Sequence, residues 1–268
     1  MNKLGGIITK SITLDPREGN PPPRTCETPA GMLNAIGLAN VGVDRFIKEK
    51  LTFLKSLDTR TIVNVAGATL DEYVKVVKRL NRVKGIDMLE INISCPNVKQ
   101  GGMEFGARQE SAHQIIKAIR ENTSYPLMVK LSPNVTDITQ IALAVEEGGC
   151  DAISLINTLV GMGINSETRK PFLSNITGGL SGPAIKPVAL AMVWKVAQKV
   201  KVPIVGIGGI MNTKDALEFL LAGASMIQVG TANFVDSRTS IGIIEGLKEY
   251  CENNGIKKIK DLVGKLQT

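Results

Sequence analysis

The chain has few aromatic residues, a single histidine, and four cysteines that lie far apart. Aromatic residues make up only 4% of the 268 residues, so although the net charge is +7 the basic-and-aromatic stripe of a nucleic-acid surface is missing. Cys26, Cys95, Cys150 and Cys251 form no C-x-x-C pair, which argues against a zinc or iron–sulfur site within this chain. The lone His113 lies in a helix-like segment and argues against Ser-His-Asp chemistry. No metal site is expected.

Long hydrophobic runs and targeting signals are also missing. No run of about 18 apolar residues occurs, so no transmembrane helix is expected. Residues 1–5 lead directly into a strand-like segment without the apolar core of a signal peptide. With 43% hydrophobic residues and no low-complexity tract, the chain fits one large α/β domain. We therefore expect a cytoplasmic protein that binds neither nucleic acid nor membrane, and whose positive charge suits anionic small molecules or an acidic partner.

Seven short runs rich in Ile, Val and Leu alternate with amphipathic helical stretches. The predicted strands are 6–11, 61–66, 88–94, 127–131, 152–156, 204–207 and 226–229. Helices are predicted to start at Thr69, Asp137 and Thr213, where a capping residue precedes apolar residues three and four apart. Continuous apolar strands, each followed by a helix, indicate a parallel sheet covered on both faces. Seven such units predict a (β/α)₈ TIM barrel that lacks its first strand, forming a single domain over residues 1–268.

Three of the predicted strand-to-helix connections are long. They run from Ile12 to Val43, from Cys95 to Glu110 and from Thr158 to Ile185. Loops longer than about 12–15 residues in a compact domain are usually functional or disordered. All three follow the carboxyl ends of strands, where barrel enzymes place their chemistry. This asymmetry predicts an enzyme.

Glycines follow the last two predicted strands. Gly208 and Gly209 end one strand and Gly230 ends the next. In barrels these two loops commonly bind phosphate, because backbone N–H groups without side chains can approach its oxygens. Tight turning alone is the alternative explanation. The pattern favours a phosphorylated substrate or cofactor, and it is not the G-x-G-x-x-G fingerprint of a dinucleotide fold.

Polar residues gather at the predicted strand ends. Cys95 opens a long loop beside Pro96 and Asn97, where a thiol can act as nucleophile or general base, although a buried structural cysteine remains the alternative. Amide and amine side chains occupy five equivalent positions: Lys10, Asn64, Asn92, Lys130 and Asn157. Amides offer both donors and an acceptor to a planar heterocycle, and lysines balance an anion. Together they predict a site for a planar, negatively charged molecule.

Three segments resemble class 1 dihydroorotate dehydrogenases, most like the class 1B catalytic subunit. They are TKSITLDPREGNP from Thr9, ETPAGMLNAIGL from Glu27 and NISCPN from Asn92. The resemblance covers essentially the whole chain, and members of this family carry a further strand before the match begins. It implies a barrel that holds FMN at the carboxyl ends of its strands, and we expect the first strand of the family to be missing here.

The resemblance also implies site residues. Those for FMN are Lys10, Ser11, Asn64, Asn92, Lys130, Ile156, Gly182, Gly208, Gly209, Gly230 and Thr231, of which the last five hold the phosphate. Those for the substrate are Lys10, Asn34, Ala35, Ile36, Gly37, Leu38, Asn92, Asn97, Asn157 and Thr158. Cys95 is the implied general base, which removes the C5 proton of dihydroorotate while a hydride passes from C6 to the flavin N5, giving orotate.

Class 1B membership implies partners as well. In that class, electrons pass to NAD⁺ through a second subunit that carries FAD and an iron–sulfur cluster, around a homodimer core of a heterotetramer, in pyrimidine (UMP) biosynthesis. Three other interpretations stay open at this point. One is a fumarate-using class 1A enzyme or a dihydropyrimidine dehydrogenase-like barrel. The second is a flavin-free, phosphate-binding isomerase, and the third is an inactive remnant that only binds a partner subunit.

Overall fold

The computed structural model describes residues 1–94 and 105–267 and separates into two compact units. The first unit comprises Met1–Asn20, Ile36–Leu131 and Gln140–Ile153. The second comprises Pro21–Ala35, Ser132–Thr139 and Ser154–Thr268. The expectation of a single domain over residues 1–268 stays a prediction.

Short strands and helices alternate along the described residues. The strands are β1 (Gly6–Ile8), β2 (Thr25–Thr28), β3 (Gly31–Asn34), β4 (Arg60–Val65), β5 (Met88–Asn92), β6 (Leu127–Lys130), β7 (Ala152–Leu155), β8 (Leu159–Met162), β9 (Ile164–Asn165), β10 (Lys170–Pro171), β11 (Thr177–Ser181), β12 (Ile204–Ile207) and β13 (Met226–Gln228). The α-helices are α1 (Val43–Arg45), α2 (Leu51–Leu54), α3 (Leu70–Leu80), α4 (Gln109–Arg120), α5 (Ile138–Glu147), α6 (Lys186–Ala197), α7 (Thr213–Leu221), α8 (Ala232–Val235) and α9 (Thr239–Asn253). A π-helical turn at Phe46–Lys50 joins α1 to α2, and 3₁₀ turns lie at Pro183–Ile185 and Ile259–Leu262. Among the helices of the described residues, none has the length and apolarity needed to cross a bilayer.

The first unit is built on parallel strands in the order β1-β4-β5-β6. Their side chains are largely buried and apolar: Val63, Leu89, Ile91 and Val129 are all 0% exposed. Buried residues of α3 and α4, such as Val76 and Ile115, complete the core of this unit. Burial on both faces explains why these strands are rich in apolar residues, with Thr61, Asn64, Glu90 and Asn92 as the buried polar exceptions.

The second unit contains β12 and β13 as a parallel pair, together with the end of β7, whose first residues belong to the first unit. It also holds a four-stranded antiparallel sheet in the order β2-β3-β11-β8 and a small hairpin of β9 and β10. Leu33, Ala35 and Leu173 form a hydrophobic cluster under the antiparallel sheet. This sheet is built from two of the long connections, Ile12 to Val43 and Thr158 to Ile185, which the sequence pattern did not resolve into strands.

The predicted α/β class and the seven parallel strands are confirmed for the described part of the chain. The start of each strand lies within one residue of its prediction, and α3 begins where Thr69 accepts a hydrogen bond from the Glu72 N–H. The prediction that the first strand reaches Ser11 was wrong, because β1 ends at Ile8. There the Thr9 hydroxyl, in place of a backbone carbonyl, accepts the N–H of Asn64.

One helix cap also differs from its prediction. Helix α7 was predicted to be capped by Thr213, but Asn212 accepts a hydrogen bond from the Asp215 N–H at 3.0 Å. Thr213 is the first helical residue instead. Asparagine is one of the strongest N-caps, so the cap moves one position toward the N-terminus.

Candidate active site

One face of the first unit carries a row of polar side chains. The register pairs Asn64 with Glu90 and Asn92 with Lys130 across parallel strands. Because side chains two positions apart on a strand share a face, all four lie on the same side of the sheet. Asn64, Glu90 and Asn92 are buried and Lys130 is half-buried. The structure therefore brings together three of the predicted flavin residues and adds Glu90, which the sequence pattern did not single out.

Asn64 has one polar atom left over. Its backbone N–H donates to the Thr9 hydroxyl at 3.1 Å, and its carbonyl accepts from the Ile12 N–H at 2.8 Å. Its side-chain Nδ2 donates to Glu90 Oε2 at 2.5 Å. Its Oδ1 is buried and has no hydrogen-bond partner among the residues that the structure describes. An orphaned acceptor in a buried position is costly, which indicates that a ligand or an ordered water supplies a donor.

The ends of β5 and β6 are tied together by short polar bonds. Tyr73 donates its hydroxyl to the Asn92 carbonyl at 2.6 Å, and the Ser94 hydroxyl donates to the Lys130 carbonyl at 3.1 Å. The Ser94 N–H in turn donates to Asn92 Oδ1 at 3.1 Å. These bonds fix the backbone just before Cys95. Both Cys95 and Asn97 lie outside the described residues.

The predicted substrate loop carries left-handed backbone. Gly37 and Leu38 have φ values of 73° and 58°. A Cβ on Gly37 would lie 2.6 Å from the backbone N of Asn20, so only glycine fits this approach. Asn40 Nδ2 donates to the Leu38 carbonyl at 2.8 Å and holds the unusual conformation in place. Sequence reasoning missed Asn40, since its role depends on the loop geometry.

Lys10 and Ser11 follow β1 and lead into Ile12, which returns to pair with β4. Lys10 is exposed and Ser11 is half-buried. An exposed lysine just beyond a strand end is free to turn toward an anion. Their position at the carboxyl end of β1 agrees with the place predicted for them.

The second unit brings four of the predicted phosphate residues together. Gly182, Gly208 and Gly209 all have positive φ, of 93°, 134° and 75°. A Cβ on Gly209 would lie 2.8 Å from the Gly182 carbonyl oxygen, and the Thr231 hydroxyl donates to the Ser181 hydroxyl at 2.8 Å. The ends of β11, β12 and β13 thus meet. We call Gly182, Gly208, Gly209 and Thr231 the glycine cradle.

Gly230 and Ile156 lie at the ends of β13 and β7. A Cβ on Gly230 would meet nothing within 4 Å, so no close contact inside the protein requires glycine there. The Ile156 N–H donates to the Ile207 carbonyl at 2.9 Å, and a Cβ on Gly208 would lie 3.4 Å from Ile156 Cγ1. Ile156 therefore packs beside the glycine cradle.

Lys186 forms a brace, a pair of ion pairs next to the loop that follows β12. Lys186 Nζ lies 2.6 Å from Asp215 Oδ1 and 2.8 Å from Glu218 Oε2. Asp215 Oδ2 also accepts the N–H of Met211, two residues after Gly209, at 2.8 Å. The hydrogen bond with Asp215, and then the one with Glu218, raise the pKa of Lys186 above its usual value. The brace fixes the backbone that follows the glycine cradle.

Two predicted substrate residues of the second unit meet around Gly179. Asn34 Nδ2 donates to the Gly179 carbonyl at 3.2 Å. A Cβ on Gly179 would lie 2.1 Å from the Thr158 hydroxyl, so the strand needs glycine at this point. Asn134, which sequence reasoning missed, donates from Nδ2 to the Thr158 carbonyl at 3.0 Å and accepts the Val160 N–H at 3.0 Å.

The neighbouring substrate residues differ in exposure. Asn157 Oδ1 accepts the Thr158 N–H at 2.9 Å. Ala35 is 8% exposed, and Ile36 is half-buried. A small buried residue and a half-buried one give the segment that begins at Asn34 an apolar side, beside the polar amide.

The other cysteines behave as expected of structural thiols. Cys150 is 6% exposed, and burial, reinforced by the nearby charges of Glu146 and Asp151, raises its thiol pKa to about 12. A thiol with such a pKa carries no thiolate at neutral pH and is a poor nucleophile. Cys26 and Cys251 are half-buried.

Comparisons with known proteins identify the family. A family model described as dihydroorotate dehydrogenase matches residues 1–251. This chain belongs to the dihydroorotate dehydrogenase family. The catalytic subunit of dihydroorotate dehydrogenase B (NAD(+)) from Geotalea uraniireducens is 56% identical over 268 residues, covering 100% of this chain and 88% of the relative. The protein of the same name from Bacteroides thetaiotaomicron is 54% identical over 265 residues, covering 99% of this chain and 88% of the relative.

These findings confirm the resemblance to class 1B catalytic subunits and the assignment as an oxidoreductase of this family. They also confirm the fold class, because dihydroorotate dehydrogenases are (β/α)₈ barrels and the described residues supply seven parallel strands. The roles of individual site residues stay predictions.

Proposed function

We propose that this chain is an FMN-binding catalytic subunit that oxidises dihydroorotate to orotate in pyrimidine biosynthesis. The observation that carries the proposal is the glycine cradle of the second unit, where positive φ values and close backbone approaches require glycine, the residue whose missing side chain lets a phosphate approach the backbone. The orphaned Oδ1 of Asn64 in the first unit fits a planar ring that has an N–H group. The residues present therefore fit FMN, a phosphorylated flavin.

Each of the two units contains residues that are proposed to contact FMN. In the first unit, Lys10, Ser11, Asn64, Asn92 and Lys130 are proposed to contact the flavin ring. In the second unit, the glycine cradle, Gly230 and Ile156 are proposed to hold the phosphate end and the ring edge. Lys130 would supply a positive charge to balance the flavin when it is reduced. FMN, when bound, supplies the hydride acceptor that no side chain can provide.

Amides are proposed to hold and orient the substrate. Asn34, Asn92, Asn97 and Asn157 offer paired donors and acceptors to the pyrimidine, while Thr158, Lys10 and the segment Ala35–Leu38 complete its surroundings. Cys95 is proposed to remove the C5 proton of dihydroorotate. Because that proton belongs to a weak carbon acid, fixed orientation of the substrate must contribute much of the lowering of the barrier.

The electron acceptor is proposed to be NAD⁺, reached through a partner subunit that carries FAD and an iron–sulfur cluster. The relatives support this, since their names specify NAD(+) and a catalytic subunit. A homodimer core within a heterotetramer and a cytoplasmic location are parts of the same proposal. The described residues include no group of three or more His, Cys, Asp or Glu side chains that could hold a metal ion.

An anaerobic half-reaction tests the proposal directly. The purified chain, loaded with FMN, is mixed with dihydroorotate without oxygen while the flavin absorbance is recorded. Bleaching is expected, with one orotate formed per flavin. Fumarate should not restore the absorbance, and NAD⁺ should restore it only when the partner subunit is present. A chain that binds no FMN, or a flavin that dihydroorotate does not bleach, would contradict the proposal, and rapid reoxidation by fumarate would place the chain in class 1A.

A further inference from the structure

Glu90 is a buried carboxylate that the proposed chemistry leaves unused. Its side chain is 0% exposed in the middle of β5, where a charge is tolerated only beside close polar partners. Its Oε2 accepts a hydrogen bond from Asn64 Nδ2 at 2.5 Å. The Asn64 amide therefore lies against a group that strongly prefers a donor.

The carboxylate decides which way the Asn64 amide points. Glu90 Oε2 accepts a hydrogen bond from the amide, so the amide turns its NH₂ group toward Glu90. The backbone of Asn64 is itself held at both polar groups, by Thr9 and by Ile12. With backbone and NH₂ fixed, the direction of Oδ1 is fixed too. This is the buried oxygen that has no partner within the described residues.

We infer that Glu90 is a positioning residue for the cofactor, which holds the Asn64 amide with its oxygen ready to accept a hydrogen bond from an N–H of the flavin ring. The inference rests on the proposed function, because the missing donor is assigned to bound FMN. The oxidised flavin ring has a single N–H, at N3, and that group is the donor named here. Glu90 acts only through Asn64 and does not itself touch the ring.

An exchange of the two polar groups tests the inference. Glu90→Gln keeps the shape of the side chain but offers a donor as well as an acceptor, so the Asn64 amide can reverse. FMN binding, measured by quenching of flavin fluorescence, is expected to weaken about tenfold, the weight of roughly one buried hydrogen bond. Adding Asn64→Asp to that variant places a carboxylate at position 64. The NH₂ group of the new glutamine at position 90 can donate to one oxygen of this carboxylate, and the other oxygen is again available to accept a hydrogen bond from the flavin. The double variant is expected to recover binding to within about threefold of the wild type.

Asp87→Asn is the matched control. Asp87 lies immediately before β5 and accepts hydrogen bonds from Arg60 at 2.9 Å and from the Thr61 N–H at 2.8 Å. The substitution Asp87→Asn removes a carboxylate just before the amino end of β5, whereas Glu90 lies in the middle of that strand. We expect a lower melting temperature with unchanged FMN affinity. The midpoint potential of the bound flavin provides a second readout, expected to shift in Glu90→Gln and to stay unchanged in Asp87→Asn.

Three outcomes would overturn the inference. Equal FMN affinity in wild type and Glu90→Gln would mean that the Asn64 oxygen faces an ordered water instead. A double variant that binds no more tightly than Glu90→Gln would leave Glu90 with a merely structural role. If Glu90→Gln does not fold, Asn64→Asp alone, which sets two carboxylates side by side, must bind FMN more weakly than the double variant, or the inference fails. A wild-type chain that binds no FMN refutes the proposed function first, and is distinguished by that result.

Discussion

In the first unit, polar groups at the amino ends of the strands and polar groups at the carboxyl ends differ in whether they have hydrogen-bond partners. At the amino ends, Asp87 before β5 and Asp151 before β7 follow one pattern. Each accepts a backbone N–H at the start of the neighbouring strand at 2.8 Å, from Thr61 (the second residue of β4) and from Leu127 (the first of β6), and each also pairs with an arginine. At the carboxyl ends, Asn64 keeps a buried oxygen without a partner among the described residues. Within the described residues, the two carboxylates at the amino ends are paired, whereas the Asn64 oxygen near a carboxyl end is not.

This difference teaches how stability and function are divided along one strand. A saturated polar group lowers the free energy of the folded chain and has nothing left to offer a ligand. An unsaturated one costs stability until a ligand arrives, and in barrel enzymes the ligands bind at the carboxyl ends of the strands. Substitutions at the carboxyl ends should therefore change binding or rate, whereas substitutions at the amino ends should change stability alone.

The largest effect is expected for Cys95→Ser, just beyond β5. A hydroxyl is a far weaker acid than a thiol, so the bleaching rate with dihydroorotate should fall about 10²- to 10⁴-fold, as for loss of a general base. FMN affinity should not change. Stopped-flow absorbance measures the rate, and fluorescence titration measures the affinity. A serine variant that bleaches at the wild-type rate would show that the base is another residue.

Gly209→Val should have the next largest effect and extends the comparison to the second unit. The new side chain would meet the Gly182 carbonyl oxygen at 2.8 Å and the Lys186 backbone N at 2.9 Å, at a φ of 75° that valine avoids. FMN affinity is expected to fall about 10- to 100-fold. Gly242→Ala is the control, because a Cβ there meets nothing within 4 Å. If Gly209→Val and Gly242→Ala contain equal amounts of flavin, the glycine cradle is not part of the cofactor site.

Asp151→Ala tests the amino ends. It leaves the N–H of Leu127, a residue that is 0% exposed, without its carboxylate partner. The free energy of unfolding in urea is expected to fall by about 1–3 kcal/mol, with FMN affinity and bleaching rate unchanged. Glu147→Ala, at an exposed carboxylate of α5, should change neither. A loss of FMN affinity in Asp151→Ala would break the division between the two ends.

The smallest effect concerns Cys150, at the same amino-terminal end. Its pKa rises from the ordinary 9.0 to about 12 in the folded chain, so between these pH values the unfolded chain loses a proton that the folded chain keeps. Stability from this thiol is therefore fully present below about pH 9 and is lost as the pH rises toward 12. Between pH 8 and 10, the free energy of unfolding should fall by about 1 kcal/mol more in the wild type than in Cys150→Ala. If the free energies of unfolding of the wild type and of Cys150→Ala change with pH in the same way, the pKa of Cys150 is not raised.

Much of the fold was predictable because buried parallel strands leave a strong trace. Leu127–Val129 is wholly apolar, Ile62–Val65 is interrupted only by Asn64, and a hydroxyl at Thr69 marks a helix start. The antiparallel sheet was not predictable. Its strand β11 reads TGGLS, with two residues of low strand propensity, and pairs with a strand far away in the chain.

The proximity of candidate residues was predictable where they follow neighbouring strands, as with the glycine pair and the amides at strand ends, and their roles stay predictions. Asn40 and Asn134 were missed because they bind backbone groups of loops whose path the sequence does not reveal. Glu90 could have been found. It lies two positions before Asn92, so alternation along the strand already places its carboxylate on the same face.

β3 and β11 pair with each other but are synthesised at different times on the ribosome, because they lie far apart in the sequence. Asn34 and Gly179, which are hydrogen-bonded in the folded chain, are 145 residues apart. At about 5–20 residues per second, Asn34 emerges roughly 7–30 s before its partner exists. During that interval the edge of β3 has no β11 to pair with, and the surroundings of Asn34 and Thr158 cannot form. The nascent chain therefore passes through a stage in which β3 is available and its partner β11 is not, and an unpaired strand edge is where a chaperone has most to protect.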